Sequence, residues 1–391
     1  MIVEVATVGP GDAVWERFGH VVLRVANTRT GHDDAYDLGA ADFGLPGFAW
    51  DFANGRERFF TSVSPWSERI ERFRARDREI VVQRLALDEI QMQRLRDEVN
   101  ALRSHADTHF YVYDHVRDNC STRLRDLLDR VTGGAIRRAA ETLESKRTYR
   151  ELTLAGEAGR IDALLFLDLI VGPPYDRVVS GWDLLFLPIH LGHAVARARI
   201  ADGRSDRPLV ASTSIEHRRR AAPPQDGSPQ AGRRLAVGFG LACLALCLAA
   251  RIAARGRDAR LARAFDRAFD RAFGAALAVV GLLFGCAGVA LWTLIAISRV
   301  PDLSWSENAL LFLPVDLVWI GYGWSRVRKT ACESKPLPIC FCDARLALLA
   351  AVAVARAVGA LAQDNTAFLI CAAAVFIGLR IAGSESARPA L

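Results

Sequence analysis

Residues 116–131 read VRDNCSTRLRDLLDRV. Asp118-Asn119 is a polar turn that feeds directly into an amphipathic helix, and Cys120 stands at the junction. A thiol at the first turn of a helix can be packing filler, or a nucleophile held where the helix dipole favours its thiolate. Outward from this point, HFYVYDHV (109–116) has strand character. LALDEIQMQRLRDEVNALRSH (85–105) is a helix capped by Asp88, with Ile90, Met92, Leu95, Val99 and Leu102 recurring at helical spacing. FGHVVLRV (18–25) is a β-branched run that predicts a strand, ANTRTGHDD is a hairpin-length turn, and AYDLG (35–39) predicts a second strand. MIVEVATVGPG at the start reads as a short strand closed by a Gly-Pro-Gly turn. Strands, helices, a strand and a cysteine-headed helix make an α+β domain.

The chain has 391 residues, room for two or three domains, and charged residues make up 24% of it with a net charge of +6. Its apolar residues are concentrated after residue 235, in five runs long enough, or nearly so, to span a bilayer: 235–254, 273–297, 308–324, 346–361 and 366–382. The stretch 251–271 carries seven arginines and 326–345 a second basic cluster, whereas 298–307 has only Arg299 and 363–365 no basic residue. The positive-inside rule puts the two arginine-rich loops in the cytoplasm. This predicts an exported α+β domain over 1–211, a Pro/Gly-rich linker over 212–232, an all-α five-helix membrane domain over 233–384 and a cytoplasmic tail over 385–391. An exported domain needs a signal, and MIVEVATVGPG is not one, so the expectation is a true start further upstream. The basic residues sit beside apolar runs, and no nucleic-acid-binding motif is present, so nucleic acid is not an expected partner. RAFDRAFDRAF (263–273) reads as an interfacial helix leading into the second span.

Four of the eight cysteines (Cys243, Cys247, Cys286, Cys371) fall in apolar runs, where they are ordinary packing. Cys332, Cys340 and Cys342 have a C-x7-C-x-C spacing that matches no metal signature, and no metal or cofactor is expected. Cys120 is the lone thiol of the exported domain. A nucleophilic cysteine needs a base and a group to orient that base. His20, which opens a strand after Gly19, and His115, five residues before Cys120, are equal candidates on residue chemistry; His109 is a third. If the hairpin turn centres on Thr28-Arg29, Asp37 lies across the ladder from His20 and can hold its imidazole. The aromatic-rich stretch 45–73, with Phe48, Trp50, Phe52, Phe59, Phe60, Trp66 and Phe73, is either core or an acyl-chain groove. In the membrane half, Asp316 and Arg356 lie at similar expected depths, which predicts an ion pair, with a lipid headgroup at Arg356 as the alternative.

GH on an early strand, YDLGAADF after it, a tyrosine-bearing strand and then DNCSTRLRDLLD resemble the exported domain of the Lnb-type lipoprotein N-acyltransferases. Those domains are similar to the circularly permuted NlpC-like papain fold, in which histidine precedes cysteine, and the family carries a five-span C-terminal domain. The resemblance implies Cys120 as nucleophile and His20 as base, with Asp37 in the orienting position, where the family pattern often has asparagine. Asn119 and Tyr113 match supporting positions. WSENALLFLP (305–314) resembles a membrane-domain motif built around Asn308 and Pro314. The implied activity is a thiol acyltransferase of the bacterial inner membrane, with a phospholipid as acyl donor and a lipoprotein as acceptor. Two other readings of the same residues are a membrane-tethered cysteine hydrolase acting on peptidoglycan, and a non-catalytic envelope assembly protein whose thiol is merely buried.

Overall fold

A computed structural model describes residues 1–42, 46–104, 110–201, 206–255, 259–328 and 339–383. The chain divides into two compact units: residues 1–159 with 177–228, and residues 160–176 with 229–391.

The first unit is built on a seven-stranded sheet of β1 (Ile2–Val8), β2 (His20–Asn27), β3 (His32–Ala40), β4 (Arg58–Pro65), β5 (Ile80–Leu85), β6 (Phe110–Val112) and β9 (Val210–His217). Its spatial order is β6-β4-β3-β2-β1-β5-β9, and β7 (Arg199–Ala201) and β8 (Asp206–Pro208) form a separate ribbon. All neighbours in the sheet are antiparallel. The helices of this unit are α1 (Phe48–Ala53), α2 (Trp66–Ala75), α3 (Glu89–Ser104), α4 (Cys120–Thr132), α5 (Ala135–Glu141), α6 (Tyr149–Gly156), α8 (Gly181–Leu184) and α9 (Pro188–Arg197).

Alternation along the strands sorts the side chains to two faces. Val21, Leu23, Val25, Tyr36 and Leu38 join Leu124, Leu127 and Leu128 of α4 in the larger core. Val22 and Ala35 face the other way, onto Trp66, Ile70 and Phe73 of α2. Each fully buried leucine stabilises the fold by about 1.5–3 kcal/mol, and this fixes which end of α4 meets the sheet. The expected cap of α3 is present as a reciprocal pair: Gln91 N donates to Asp88 Oδ1 and Asp88 N to Gln91 Oε1.

Two boundaries differ from the sequence expectation. Residues 210–217, most of which were expected to open a linker, form an edge strand paired to β5. Its exposed Ser, Thr and Glu residues hide the β-branched signal, and a polar edge is how a sheet avoids further pairing. Residues 160–176, expected in the first domain, belong to the second unit and carry α7 (Ile161–Ile170).

The second unit is helical, with α10 (Ala231–Arg255), α11 (Ala259–Ile297), α12 (Val318–Arg328), α13 (Ile339–Ala357) and α14 (Thr366–Gly383). Two helical segments, Ala231–Ile252 and Arg271–Ile297, are long and apolar enough to cross a membrane, and Thr366–Ala382 is a shorter apolar helix. The run 308–324, expected as a single span, is instead broken into 3-10 turns at Glu307–Leu310 and Pro314–Leu317 ahead of the eleven-residue α12. Pro314, which lacks an N–H, opens the second turn, and the Asp316 side chain accepts from Leu313 N (3.1 Å) to cap it. The RAFDRAFDRAF stretch lies inside α11 as continuous helix; the side chains of 263–270, Cys332 and the tail 385–391 lie outside the described residues.

Candidate active site

Everything at Cys120 begins with the cap of α4. Asn119 is buried, and its Oδ1 accepts from the backbone N–H of Ser121 (2.8 Å) and Thr122 (2.9 Å). Thr122 Oγ1 accepts from Asn119 N in return (2.8 Å). The Asn119 Nδ2 donates to the carbonyls of His115 (2.6 Å) and Phe186 (3.0 Å). Both ends of this amide are therefore occupied, and Asn119 serves as a helix cap and loop tie rather than reaching toward a substrate. Among the described residues the Cys120 N–H alone, of the first three in the helix, carries no hydrogen bond.

Strand β3 brings a second constraint. A Cβ placed on Gly39 would lie 2.6 Å from the Cys120 Cβ, so the GA of YDLGAADF lets the strand end press directly against the cysteine. Gly19, with φ +83 and the Val8 carbonyl where a Cβ would fall, makes the tight entry that delivers His20 to the start of β2.

The β2–β3 ladder pairs Leu23 with Tyr36 and Asn27 with His32, which centres the turn between Arg29 and Thr30, one residue later than expected. Continued to the strand ends, this register sets Gly39, not Asp37, opposite His20. Asp37 is still on the same face, one step along the diagonal, because the displacement is two residues. The contact survives: His20 Nε2 and Asp37 Oδ1 are 2.9 Å apart. Asp37 Oδ1 also accepts from Gly39 N (3.1 Å), and its Oδ2 accepts from Arg69 Nη1 (3.0 Å). Arg69, on α2, is itself fixed by Ser62 and Ser64 hydroxyls, each at 3.2 Å.

Burial works against the charged form of His20, but the Asp37 and Cys120 charges and its hydrogen bonds to both outweigh it, so its pKa is raised. With Nε2 held by Asp37, the nitrogen left for the thiol is Nδ1. Asp37 is buried, which alone would raise its pKa; the His20 and Arg69 charges and the Gly39 N–H bring it below the ordinary carboxylate value. The pair favours the imidazolium form of His20 beside the carboxylate form of Asp37.

His115, the other candidate base, has its ring against the edges of Phe18 (4.5 Å between centroids) and Phe186 (5.7 Å). Its Nδ1 lies 3.4 Å from the Tyr113 hydroxyl. Tyr113 stacks on Phe59 at 4.1 Å, a ring contact in a packed aromatic row. Its neighbour Tyr111 is the tyrosine at the thiol end: its hydroxyl donates to the Leu38 carbonyl (2.8 Å), one residue before Gly39. Burial and the Cys120 charge push the Tyr111 pKa up, keeping the phenol a donor, and Arg123 lies 3.3 Å over its ring. Arg78 is a buried guanidinium at this end of the sheet, stacked on Phe73 and bonded to the Gly9 carbonyl (2.9 Å). Burial lowers its pKa to about 10 in spite of the opposing Glu16 and Cys120 charges. Arg69, Tyr111 and Arg78 were not legible as site residues, because each reaches the site from a different element. His109 lies outside the described residues.

The polar residues singled out in the second unit do not pair as expected. Asp316 Oδ2 accepts from Arg345 Nη2 (3.0 Å), not from Arg356, and Arg356 Nη1 donates to Asn365 Oδ1. The depth estimate assumed a continuous helix at 1.5 Å per residue through 308–324, and the 3-10 turns break that assumption. Asn308 is a cap for α7: its Nδ2 donates to the carbonyls of Asp168 (3.1 Å) and Leu169 (2.9 Å). Among the described residues no three His, Cys, Asp or Glu side chains converge in a way that could hold a metal ion.

A thiol at a helix head, a histidine whose charged form that thiol helps to favour, and a carboxylate 2.9 Å from the histidine stand at one end of the sheet. No curated protein and no solved structure matches the chain. The family model described as the Lnb N-terminal periplasmic domain matches residues 2–154, which contain His20, Asp37 and Cys120, so the first unit is similar to that domain over most of its N-terminal portion.

Proposed function

We propose that this protein is a membrane-anchored thiol acyltransferase that N-acylates lipoproteins. The observation that carries the reading is His20, held 2.9 Å from Asp37 on one side and electrostatically coupled to Cys120 at the head of α4 on the other, within residues matched by the Lnb domain model. The match of residues 2–154 to the Lnb N-terminal periplasmic domain supports an envelope protein related to lipoprotein maturation. The candidate membrane helices Ala231–Ile252 and Arg271–Ile297 tether the chain to a bilayer, where both substrates reside.

In the first half-reaction the Cys120 thiolate attacks the carbonyl carbon of a phospholipid ester. The Cys120 N–H faces the developing oxyanion. The ester C–O bond breaks, the lysophospholipid alcohol leaves with the proton that His20 carries, and the acyl group remains as a thioester. In the second half-reaction the free α-amine of a diacylglyceryl-cysteine attacks the thioester. His20 takes the amine proton, the C–S bond breaks, and the thiolate returns. Asp37, backed by Arg69, keeps the imidazole in one tautomer and supports its charge in both steps. In this reading the sheet unit is a circularly permuted papain-like domain, with the histidine strand ahead of the cysteine helix. It stands in the periplasm, followed by five spans of the inner membrane and a cytoplasmic C-terminus.

The test is mass spectrometry of lipoprotein N-termini in cells that depend on this protein. Cys120→Ser should leave the termini diacylated with a free amine. Full N-acylation by the serine variant would sink the reading. Release of free fatty acid with no N-acyl product by the native protein would instead favour water as acceptor and a hydrolase.

A further inference from the structure

The end of the sheet that carries the thiol also carries most of the first unit's exposed grease. β1 runs toward His20 and β2 runs away from it, so the connection 9–19 lies at that end and presents Val14 and Trp15. β3 runs back to the same end, β4 leaves from it, and α1 in the connection between them presents Trp50 and Phe52. Val112 lies opposite Arg58, the first residue of β4, and Ile189 follows Pro188, which packs beside Gly19. These six are among the ten large apolar side chains that this unit exposes among the described residues. Ile90, by contrast, lies beyond the opposite end, where β5 pairs with the start of β9.

We propose that these six side chains form a lipid-docking rim, and that the thiol end of the first unit works with this rim seated in the interfacial layer of a bilayer. The inference deepens the acyl-transfer reading and rests on it for its purpose: an ester carbonyl sits at the level of the interface, and the rim would bring Cys120 to that depth. Three observations favour lipid over a protein partner. The first unit's chain joins the second three times, after residues 159, 176 and 228, and the second holds the candidate membrane helices, so a bilayer is always at hand. The two tryptophans, 53% and 56% exposed, are the side chains whose amphipathic rings settle at the lipid–water boundary. The rim is also assembled from separate short connections rather than one continuous groove, which suits shallow insertion into a fluid surface better than recognition of one peptide.

The experiment uses the full chain, labelled with fluorotryptophan, in nanodiscs of phosphatidylethanolamine and phosphatidylglycerol. The Trp15 and Trp50 fluorine resonances are assigned from Trp15→Phe and Trp50→Phe variants. Both resonances should broaden with doxyl-labelled lipid and be protected from an aqueous gadolinium chelate. Broadening by the chelate without any effect of the labelled lipid would overturn the rim, whatever the activity. In a Trp15→Ser/Trp50→Ser variant, acyl loading of Cys120 from vesicle lipid should fall about tenfold or more, since binding energy from remote contacts is lost. Alkylation of the same Cys120 by iodoacetamide, read on its peptide, should stay within about twofold. Equal loss of both would show a damaged fold and count against the rim. Lipid contact at both tryptophans with no acyl loading of the native protein would leave the rim standing and fail the acyl-transfer reading instead.

Discussion

The thiol end of the sheet and the polar knot around Glu307 are both buried clusters of ionised and amide side chains, yet they are finished differently. In the knot, the Glu307 carboxylate accepts from the backbone N–H of Ala362 (2.8 Å) and Gln363 (2.9 Å), and Gln363 Oε1 accepts from Glu307 N (2.7 Å). Ser306, Asn308 and Gln363 donate to the carbonyls at the C-terminal end of α7, and Arg233 clamps Asp168. These groups are tied to backbone, which is what an otherwise orphaned helix end requires. At the thiol end the chain of bonds runs Arg69, Asp37, His20 and stops beside the half-buried Cys120 sulfur and one unoccupied N–H. One polar cluster is closed on backbone; the other ends open beside a thiol.

The sharpest way to break this contrast is to remove the base. His20→Ala should lower Cys120-dependent acyl transfer by about 10³-fold in a protein that still folds, as read by lipoprotein mass spectrometry and scanning fluorimetry. Glu307→Ala should do the opposite. It strands two backbone donors in a buried site and should cost about 3 kcal/mol of stability in detergent, with the alkylation rate of Cys120 unchanged in the protein that remains folded. Gly39→Ala tests whether the close approach is used: a methyl 2.6 Å from the Cys120 Cβ must displace the cysteine. A shift of about 1 Å should reduce transfer by about 10²-fold, with the protein still folded. Unchanged transfer in this variant would mean the strand end is not positioning the nucleophile.

Asp37→Asn is the mildest and carries a pH signature. It should reduce transfer about tenfold or more, because the amide can hold the ring but cannot support its charge. Its effect on stability follows from the lowered pKa of Asp37. A group with a depressed folded pKa contributes stability above its unfolded value, about 4, and loses that contribution as the pH falls through the lower folded value. The stability difference between native protein and variant should therefore be full near neutrality and shrink in acid. His20 has the opposite sign: its raised pKa contributes stability below about 6.5 that is lost as the pH rises through the folded value. Chemical unfolding across a pH series reads both. A difference for Asp37→Asn that grows in acid would contradict the arrangement.

Much of the first unit was legible because its signals are local. The Asp88 cap, the β-branched run at 21–25, the cysteine at a helix head and the alternation of apolar residues each depend on neighbours a few positions apart. The hairpin even gave the right partner for His20 from a register that was two residues off, since a displacement of two keeps the face. The edge strand 210–217 was missed because an edge facing water carries polar residues, which read as linker.

The sequence by itself determined the chemistry on offer: a lone thiol at the positive end of a helix, an early strand histidine, and apolar runs for a bilayer. It could do so because dipole, capping and hydrophobic periodicity act within a few residues along the chain. Only the tertiary structure decided which groups meet. It set His20 against Asp37 and His115 against Phe18 and Phe186, put Tyr111 rather than Tyr113 against the Leu38 carbonyl, brought Arg69 in behind Asp37, and gave Asp316 to Arg345 in place of Arg356. Those choices depend on strand order, on which face a helix covers and on turns that interrupt an apolar run. Long-range packing sets all three, and no spacing in the chain encodes it.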